Sequence, residues 1–312
     1  MPELPEVETV RRALEATVTG RAIRSVRLSG LSLREPIPRG FARRVAGHRV
    51  AGARRLGKYL LLDLDRGLTL LSHLGMSGRW LFFPEPPSTD VPHVHVRIHF
   101  TDGTQLWFQD PRRFGLLRAV ATGQLARDKS LALVGLDPIA SPPTGEWLYE
   151  RAEGASIAVK LFLLDQKRVA GIGNIYASEI LHRAGVDPRA RAGRVSPESW
   201  HAIASETRAV LNEAIDRNGT TFSMYRTMWN EPGAYGDQLR VYDRAGEPCI
   251  QCGTPIRRIV QGARSTFYCP NCQRAANPRA TRGSRAPRRS RATAGTRVRQ
   301  RQTRRKRASS GS

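Results

Sequence analysis

The chain is short of acid. Its 312 residues hold 27 Asp and Glu against 51 Lys and Arg, a formal net charge of +24. Lysine is scarcer still: only Lys58, Lys129, Lys160, Lys167 and Lys306 occur, and arginine supplies the rest of the positive charge. Long apolar runs are missing. The longest, around 59–64 and 68–74, fall far short of the roughly 20 residues that a membrane span needs. The start, Met1-Pro2-Glu3-Leu4-Pro5-Glu6, has neither the basic region nor the apolar stretch of a secretory signal. No repeat of 20–50 residues appears. At 40% hydrophobic and 25% charged residues the chain can bury an ordinary core, so it is not wholly disordered, collagenous or a disulfide miniprotein. What remains is a cytoplasmic protein, of two domains by length, with one or three possible. Its positive excess points to a polyanion, nucleic acid ahead of an anionic membrane.

The charge is uneven. From Gln273 to Ser312 there are 13 Arg, Lys306 and no acid, so this segment carries +14 and residues 1–272 carry +10. Val298 is its only large apolar residue. Such a composition cannot bury enough surface to offset ordering entropy, which predicts a disordered tail. It reads equally as a nonspecific phosphate-binding arm or as a solvated extension.

Along residues 1–272 the patterning changes character. Val7, Val10, Leu14 and Val18 recur at helical spacing after Pro5-Glu6, and Gly20 follows. Strand patterns dominate from there to about Val120. Val94, Val96, Ile98 and Phe100 alternate with His93, His95, Arg97 and His99, which predicts a half-buried strand. The three histidines on its polar face are expected to meet phosphate or solvent rather than a metal. Asp102-Gly103 predicts a hairpin turn, Pro84–Pro92 a loop, and Ser141-Pro142-Pro143 a hinge. From there to about Gly219 the period is helical. Ser196 and Pro197 suit an N-cap and first helical position, with Trp200, Ile203, Thr207, Val210, Leu211, Ala214 and Ile215 on one face. Residues 219–240 read as a long loop.

All four cysteines fall in Cys249-x2-Cys252-x16-Cys269-x2-Cys272. Two such knuckles can place four thiolates tetrahedrally around one zinc ion. Two disulfides or a redox pair are the other readings; the lack of a secretion signal and the doubling of the motif favour zinc. Four protein ligands leave no open position, so this metal staples the fold and catalyses nothing. The knuckles flank Arg257, Arg258 and Arg264. Gly171-Ile172-Gly173-Asn174 runs into a helical pattern, and free N–H groups there suit an anion, with Asn174 as a cap or phosphate donor. The motif lacks the third glycine of a dinucleotide fingerprint and the Lys-Ser/Thr of a P-loop, so no nucleotide cofactor is expected. An ordinary turn between helices explains it as well. Pro2 is small enough that Met1 should be removed, leaving a secondary amine whose class titrates near roughly 7.7–8.0. That amine is a nucleophile near neutrality, with Glu3 beside it to move protons; a capped surface terminus is the plainer reading.

The run Pro2-Glu3-Leu4-Pro5-Glu6-Val7-Glu8-Thr9 resembles the start of formamidopyrimidine-DNA glycosylases. So do Leu56-Gly57-Lys58-Tyr59-Leu60, His73-Leu74-Gly75-Met76-Ser77-Gly78 and Asp110-Pro111-Arg112-Arg113-Phe114-Gly115, and the glycine turn and cysteine knuckles follow in the family's order. The resemblance covers residues 2–273. It implies an α+β multidomain fold: an N-terminal β-sandwich with flanking helices at 1–130, a linker at 131–145, a helix–two-turn–helix domain at 146–245, a zinc-bound β-hairpin at 246–272 and the basic tail at 273–312. It also implies a monomeric, nucleoid-associated repair enzyme acting on damaged double-stranded DNA. The activity implied is that of a bifunctional glycosylase and apurinic-site lyase for 8-oxoguanine and formamidopyrimidines. Pro2 would be the nucleophile and Glu3 the proton shuttle, with Lys58 and Arg264 beside the reacting sugar. His73, His93, Asn174 and Lys160 would serve the DNA. Met76, Arg112 and Phe114 would fill the gap left by the flipped nucleotide, although core packing is the plain reading of Met76 and Phe114. Glu6, Thr220, Thr221 and Tyr225 would line the lesion pocket; Glu6 and Lys160 also read as simple surface charges. In the loop after Gly219, Ser223 stands where many relatives have Arg. Leu4 argues against the alternative of an endonuclease VIII-like enzyme for oxidised pyrimidines. A noncatalytic, zinc-stapled DNA-binding protein is the other alternative.

Overall fold

The computed structural model describes residues 1–220, 228 and 232–274. Helix α1 (Leu4–Val18) opens the chain. Glu3 is its N-cap, and the Glu3 N–H donates to the Glu6 carboxylate at 2.7 Å in a capping box. Its buried stripe is the one the spacing predicts, Val7, Val10, Leu14 and Val18.

Two four-stranded antiparallel sheets follow. One has the order β1 (Ile23–Leu28), β6 (Val94–Phe100), β7 (Gln105–Gln109), β5 (Arg79–Phe83). The other runs β2 (Val50–Leu56), β3 (Tyr59–Leu64), β4 (Leu68–His73), β8 (Leu116–Ala121). Leu60, Leu62, Leu70, Val96, Ile98, Phe100 and Phe108 fill the space between them with the α1 stripe and helix α2 (Phe41–Val45). Gly103 sits at φ 90° in the β6–β7 turn, as the Asp102-Gly103 pair predicts. The polar face of β6 departs from expectation. His95 is 3% exposed, with its ring against the Ser29 hydroxyl at 3.1 Å and the Asp110 carbonyl at 3.0 Å. Partners from distant sequence make burial of that imidazole tolerable, so it meets neither phosphate nor solvent.

A helical layer comes next: α3 (Gly145–Ala152), α4 (Val159–Leu164), α5 (Asn174–Arg183) and α6 (Pro197–Asp216). Ser196 caps α6 by accepting the Ser199 N–H, and the buried face contains every residue that the period predicts. Asp137 ties the segment at 131–145 to the sandwich. Its carboxylate pairs with Arg55 and accepts the Gly57 N–H at 2.8 Å, while Arg55 also reaches Glu8 at 2.9 Å. Strands β9 (Arg257–Gln261) and β10 (Arg264–Tyr268) form the last hairpin, with Gly262 and Ala263 both left-handed at its tip. Gln273 belongs to this hairpin rather than to the tail. It is 1% exposed, and its side chain accepts the Cys269 N–H and donates to the Val186 carbonyl. No helix among the described residues is long and apolar enough to cross a membrane.

Candidate functional site

The glycine turn seats the N-terminus. The Leu4 N–H donates to the Gly171 carbonyl at 3.1 Å. The Glu3 carboxylate accepts the Ile175 N–H at 3.0 Å and the Tyr176 N–H at 3.4 Å, at the positive end of α5. A Cβ built on Gly173 would lie 2.2 Å from Glu3 Cδ, and one on Gly171 would lie 2.6 Å from Leu4. These glycines let the first residues approach; the anion at the start of α5 is therefore Glu3, where the sequence suggested a phosphate. Gln166 braces the turn by accepting the Gly171 N–H and donating to the Ile172 carbonyl, a role with no signal in the sequence.

Around this seat lies a cavity of about 720 Å³ whose wall includes Met1, Glu3, Lys58, His73, Asn174 and Arg264. Pro2 is buried beneath Met1, which is half exposed. Lys58, in the tight β2–β3 turn, is 6% exposed and donates to the Ile172 carbonyl at 3.2 Å. Burial pulls its ammonium below the usual lysine range, Glu3 and Glu6 push it back up, and Arg264 lowers it. At the end of β4, His73 accepts the Gly75 N–H on Nδ1 at 2.9 Å, leaving Nε2 to carry the ring proton. Burial and the neighbouring Lys58 and Arg34 hold its pKa down to about 4, so the ring is neutral near pH 7.

Lys160 is fully buried, which excludes a surface role. Its ammonium donates to Asn174 Oδ1 at 2.7 Å, Thr266 Oγ1 at 2.7 Å and the Ser265 carbonyl at 3.1 Å. Burial lowers its pKa to about 7. Asn174 is the first residue of α5 with Gly173 as the N-cap, and its amide donates to the Ser265 carbonyl at 2.8 Å. Lys160 and Asn174 thus bolt β10, and with it the exposed Arg264, to the glycine turn.

Glu6 is also no surface charge. Only 2% exposed, it accepts the Glu3 N–H, the Thr220 N–H at 2.7 Å and the Tyr176 hydroxyl at 2.5 Å. Burial and the nearby Glu3 raise its pKa. Tyr176 has no counterpart among the residues singled out from sequence. Thr221 and Tyr225 lie outside the described residues.

Met76 and Phe114 are 41% and 45% exposed, which rules out core packing. The Arg112 guanidinium stacks over the Phe114 ring at 4.8 Å. The two loops bearing them meet where Gly75 abuts the Phe114 backbone, at φ 62° and with no room for a Cβ. Asp110, fully buried, braces both: it accepts the Ser77 hydroxyl at 2.5 Å and the Gly115 N–H at 2.7 Å. His93 is exposed at φ 63°, just before β6.

The four cysteines are free thiols whose sulfurs all lie within 4.8 Å of one another. Cys249 and Cys272 are 3.9 Å apart and Cys252 and Cys269 3.4 Å, too far for disulfides and suited to a tetrahedral metal. The donor set fits one structural zinc ion.

The fold and site together define a sandwich-and-helix protein that carries a zinc-stapled hairpin and a basic cavity at its N-terminus. Residues 1–117 match the formamidopyrimidine-DNA glycosylase N-terminal domain, residues 134–226 the H2TH domain of the same enzymes, and residues 246–275 the zinc finger found in FPG and IleRS. A formamidopyrimidine-DNA glycosylase of Burkholderia thailandensis is 45% identical over 278 residues, 88% of this chain and all of the relative. The Lactococcus lactis enzyme in complex with Fapy-dG-containing DNA aligns with a TM-score of 0.78 at 29% identity, covering 87% of this chain and 99% of that one. The same enzyme with DNA containing an oxidised pyrimidine aligns at 0.79 and 30%, with the same coverage. The chain belongs to the formamidopyrimidine-DNA glycosylase family.

Proposed function

We propose that the chain is a bifunctional DNA glycosylase and apurinic-site lyase that removes 8-oxoguanine and formamidopyrimidines from duplex DNA. The observation that carries this is the seating of Glu3 beside Pro2 at the start of α5, inside the cavity that Lys58, Asn174 and Arg264 also line. With Met1 removed, the Pro2 nitrogen attacks C1′ of the damaged nucleotide. The glycosidic bond breaks toward the base, and the sugar ring opens with a proton delivered to its oxygen from Glu3. The resulting iminium is permanently cationic. It acidifies the adjacent C–H and draws electrons through β- and then δ-elimination, which cuts the strand on both sides of the sugar. Lys58 and Arg264 stand beside this path. His73, His93, Asn174 and Arg112 hold the DNA, and Lys160 acts from behind through Asn174 and β10. Met76 and Phe114 fill the space vacated by the flipped nucleotide, while Thr220, Thr221 and Tyr225 serve the lesion pocket and Glu6 acts from behind through Thr220 and Tyr176. Zinc holds the hairpin and takes no part in the chemistry.

In this reading residues 1–130 carry the nucleophile and residues 146–245, joined through 131–145, grip the duplex. Residues 246–273 present Arg264, and the tail beyond Gln273 tracks phosphates nonspecifically. The protein acts as a monomer in the cytoplasm at the nucleoid.

Borohydride trapping on duplex DNA with 8-oxoguanine opposite cytosine tests the proposal. A covalent adduct is expected, and Glu3→Gln should lose base excision while retaining DNA binding. No adduct with the intact protein would sink the lyase reading. Because a relative has been captured with an oxidised pyrimidine, a second reading gives pyrimidine lesions first place. Faster excision of thymine glycol than of 8-oxoguanine would establish it.

A further inference from the structure

Lysine in this chain is not scattered. Of its five lysines, Lys58, Lys129 and Lys167 line the one cavity described above, and Lys160 bonds to Asn174 in its wall; Lys306 is outside the described residues. Forty-six other basic positions are arginine. Lys58 and Lys160 are buried and belong to the site already described. Lys129 and Lys167 are exposed and have had no role so far. Lys129 follows the turn after β8, and Lys167 stands in the connection from α4 to α5. Arg34, from the loop between β1 and α2, reaches the same cavity and is also exposed.

The cavity wall holds five cations (Arg34, Lys58, Lys129, Lys167 and Arg264) against two carboxylates, Glu3 and Glu35, and so keeps three positive charges in excess. Glu3 is engaged by backbone N–H groups. Glu35 bonds to Lys129 at 3.0 Å and lies 4.0 Å from Arg118, so a phosphate that draws Lys129 away leaves Glu35 with Arg118. Neither Lys167 nor Arg34 forms an ion pair among the described residues. The adjoining wall from Ser130, Leu133 and Val134 is polar at one end and apolar beyond, suited to a sugar–phosphate strand rather than to a free ion.

We propose that Lys129 and Lys167, assisted by Arg34, form a second phosphate-binding subsite that carries the DNA strand along the cavity past the Lys58–Asn174–Arg264 cluster. This rests on the glycosylase reading above. The residue type fits the task. An ammonium on a flexible stem is a compact, strongly hydrated point charge that follows a phosphate without committing to one geometry, whereas guanidinium fixes it through two parallel hydrogen bonds. A strand that must slide until a lesion arrives needs the first kind of grip.

The test uses the full-length, zinc-loaded protein and a duplex bearing a noncleavable tetrahydrofuran abasic site, with affinity followed by fluorescence anisotropy from low to high salt. Each phosphate contact contributes about 0.9 to the slope of log affinity against log salt. Replacing both lysines (K129A with K167A) should lower the slope by about 1.8 and weaken binding about tenfold at roughly 0.15 M salt. K129R with K167R should restore the slope, which guards against a folding defect. Methylphosphonate substitution should identify backbone positions that matter to the wild type and not to the alanine variant. An unchanged slope in the alanine variant, or no such positions, would overturn the subsite. Failure of the glycosylase reading would show separately, as absence of a borohydride adduct with wild-type protein on lesion DNA.

Discussion

A single carboxylate sets the site's geometry, and a single missing methyl group permits it. Gly173 has an ordinary backbone conformation, so a side chain there meets no torsional strain. The obstacle is Glu3, whose Cδ lies 2.2 Å from where a Cβ would stand. Gly173→Ala should therefore displace the Glu3 carboxylate from the Ile175 and Tyr176 N–H groups. We expect excision to fall by at least about 100-fold, the scale lost when a general acid is misplaced, in single-turnover assays with zinc content unchanged. His73 gives a second prediction. Its pKa is about 4 in the folded protein and near 6.5 when free. The unfolded chain therefore binds more protons between these values, and the His73 contribution to stability, full above pH 6.5, is lost as pH falls toward 4. The ring is only half-buried and lines the cavity, so solvent screening limits the loss by pH 5 to about 1 kcal/mol. Denaturant titrations of wild type and His73→Gln should converge by that amount between pH 7.5 and pH 5.

At the scale of elements, the two loops that present Met76 and Phe114 are one unit because Asp110 serves both. Asp110→Asn supplies one acceptor where the Ser77 hydroxyl and the Gly115 N–H need two, leaving a buried group unsatisfied at a cost of about 1–3 kcal/mol. The platform should loosen and the melting temperature fall. Affinity for a paired 8-oxoguanine should drop more than affinity for an abasic site, where no base has to be displaced; equal losses would refute this. Elements also show what could be read without coordinates. Helices α1 and α6 were legible residue by residue, because one apolar stripe at a 3.6 period has only one way to be buried. Strand β6 was legible as a strand but not in its faces. Alternation marks His95 as polar and outward, and only Ser29 and Asp110, far away in sequence, make it inward. Helices α2 and α4, five and six residues long, carry too few turns for a period to show. The glycine turn was legible as an anion seat but not for which anion, since Glu3 lies 172 residues from Ile175.

The whole molecule is held at its site by the zinc hairpin. Ser265 and Thr266 receive Lys160 and Asn174, and Gln273 reaches back to Val186. Removing the metal takes away the four bonds that tie the two knuckles together, which loosens the hairpin and frees Arg264 from its place. Treatment with a strong chelator should expose four reactive thiols and lower borohydride trapping at least about tenfold, a loss of roughly 1.4 kcal/mol in transition-state stabilisation. Added zinc should restore both. Trapping that persists with all four thiols titrated would separate the hairpin from the chemistry.

The cavity joins residue 3 to residue 264, nearly the full span of the described chain. Synthesis delivers these two groups at opposite ends of translation. The partners of Glu3 and Glu6, on α5 and at Thr220, all lie within the first 220 residues, while Arg264 and the knuckles that hold it come after them. The proposed cutting activity therefore appears only once the last strand has left the ribosome and the cell has supplied a zinc ion. Nascent or truncated copies would hold the acid without the means to use it, and the amount of competent enzyme in a metal-starved cell would follow zinc rather than message.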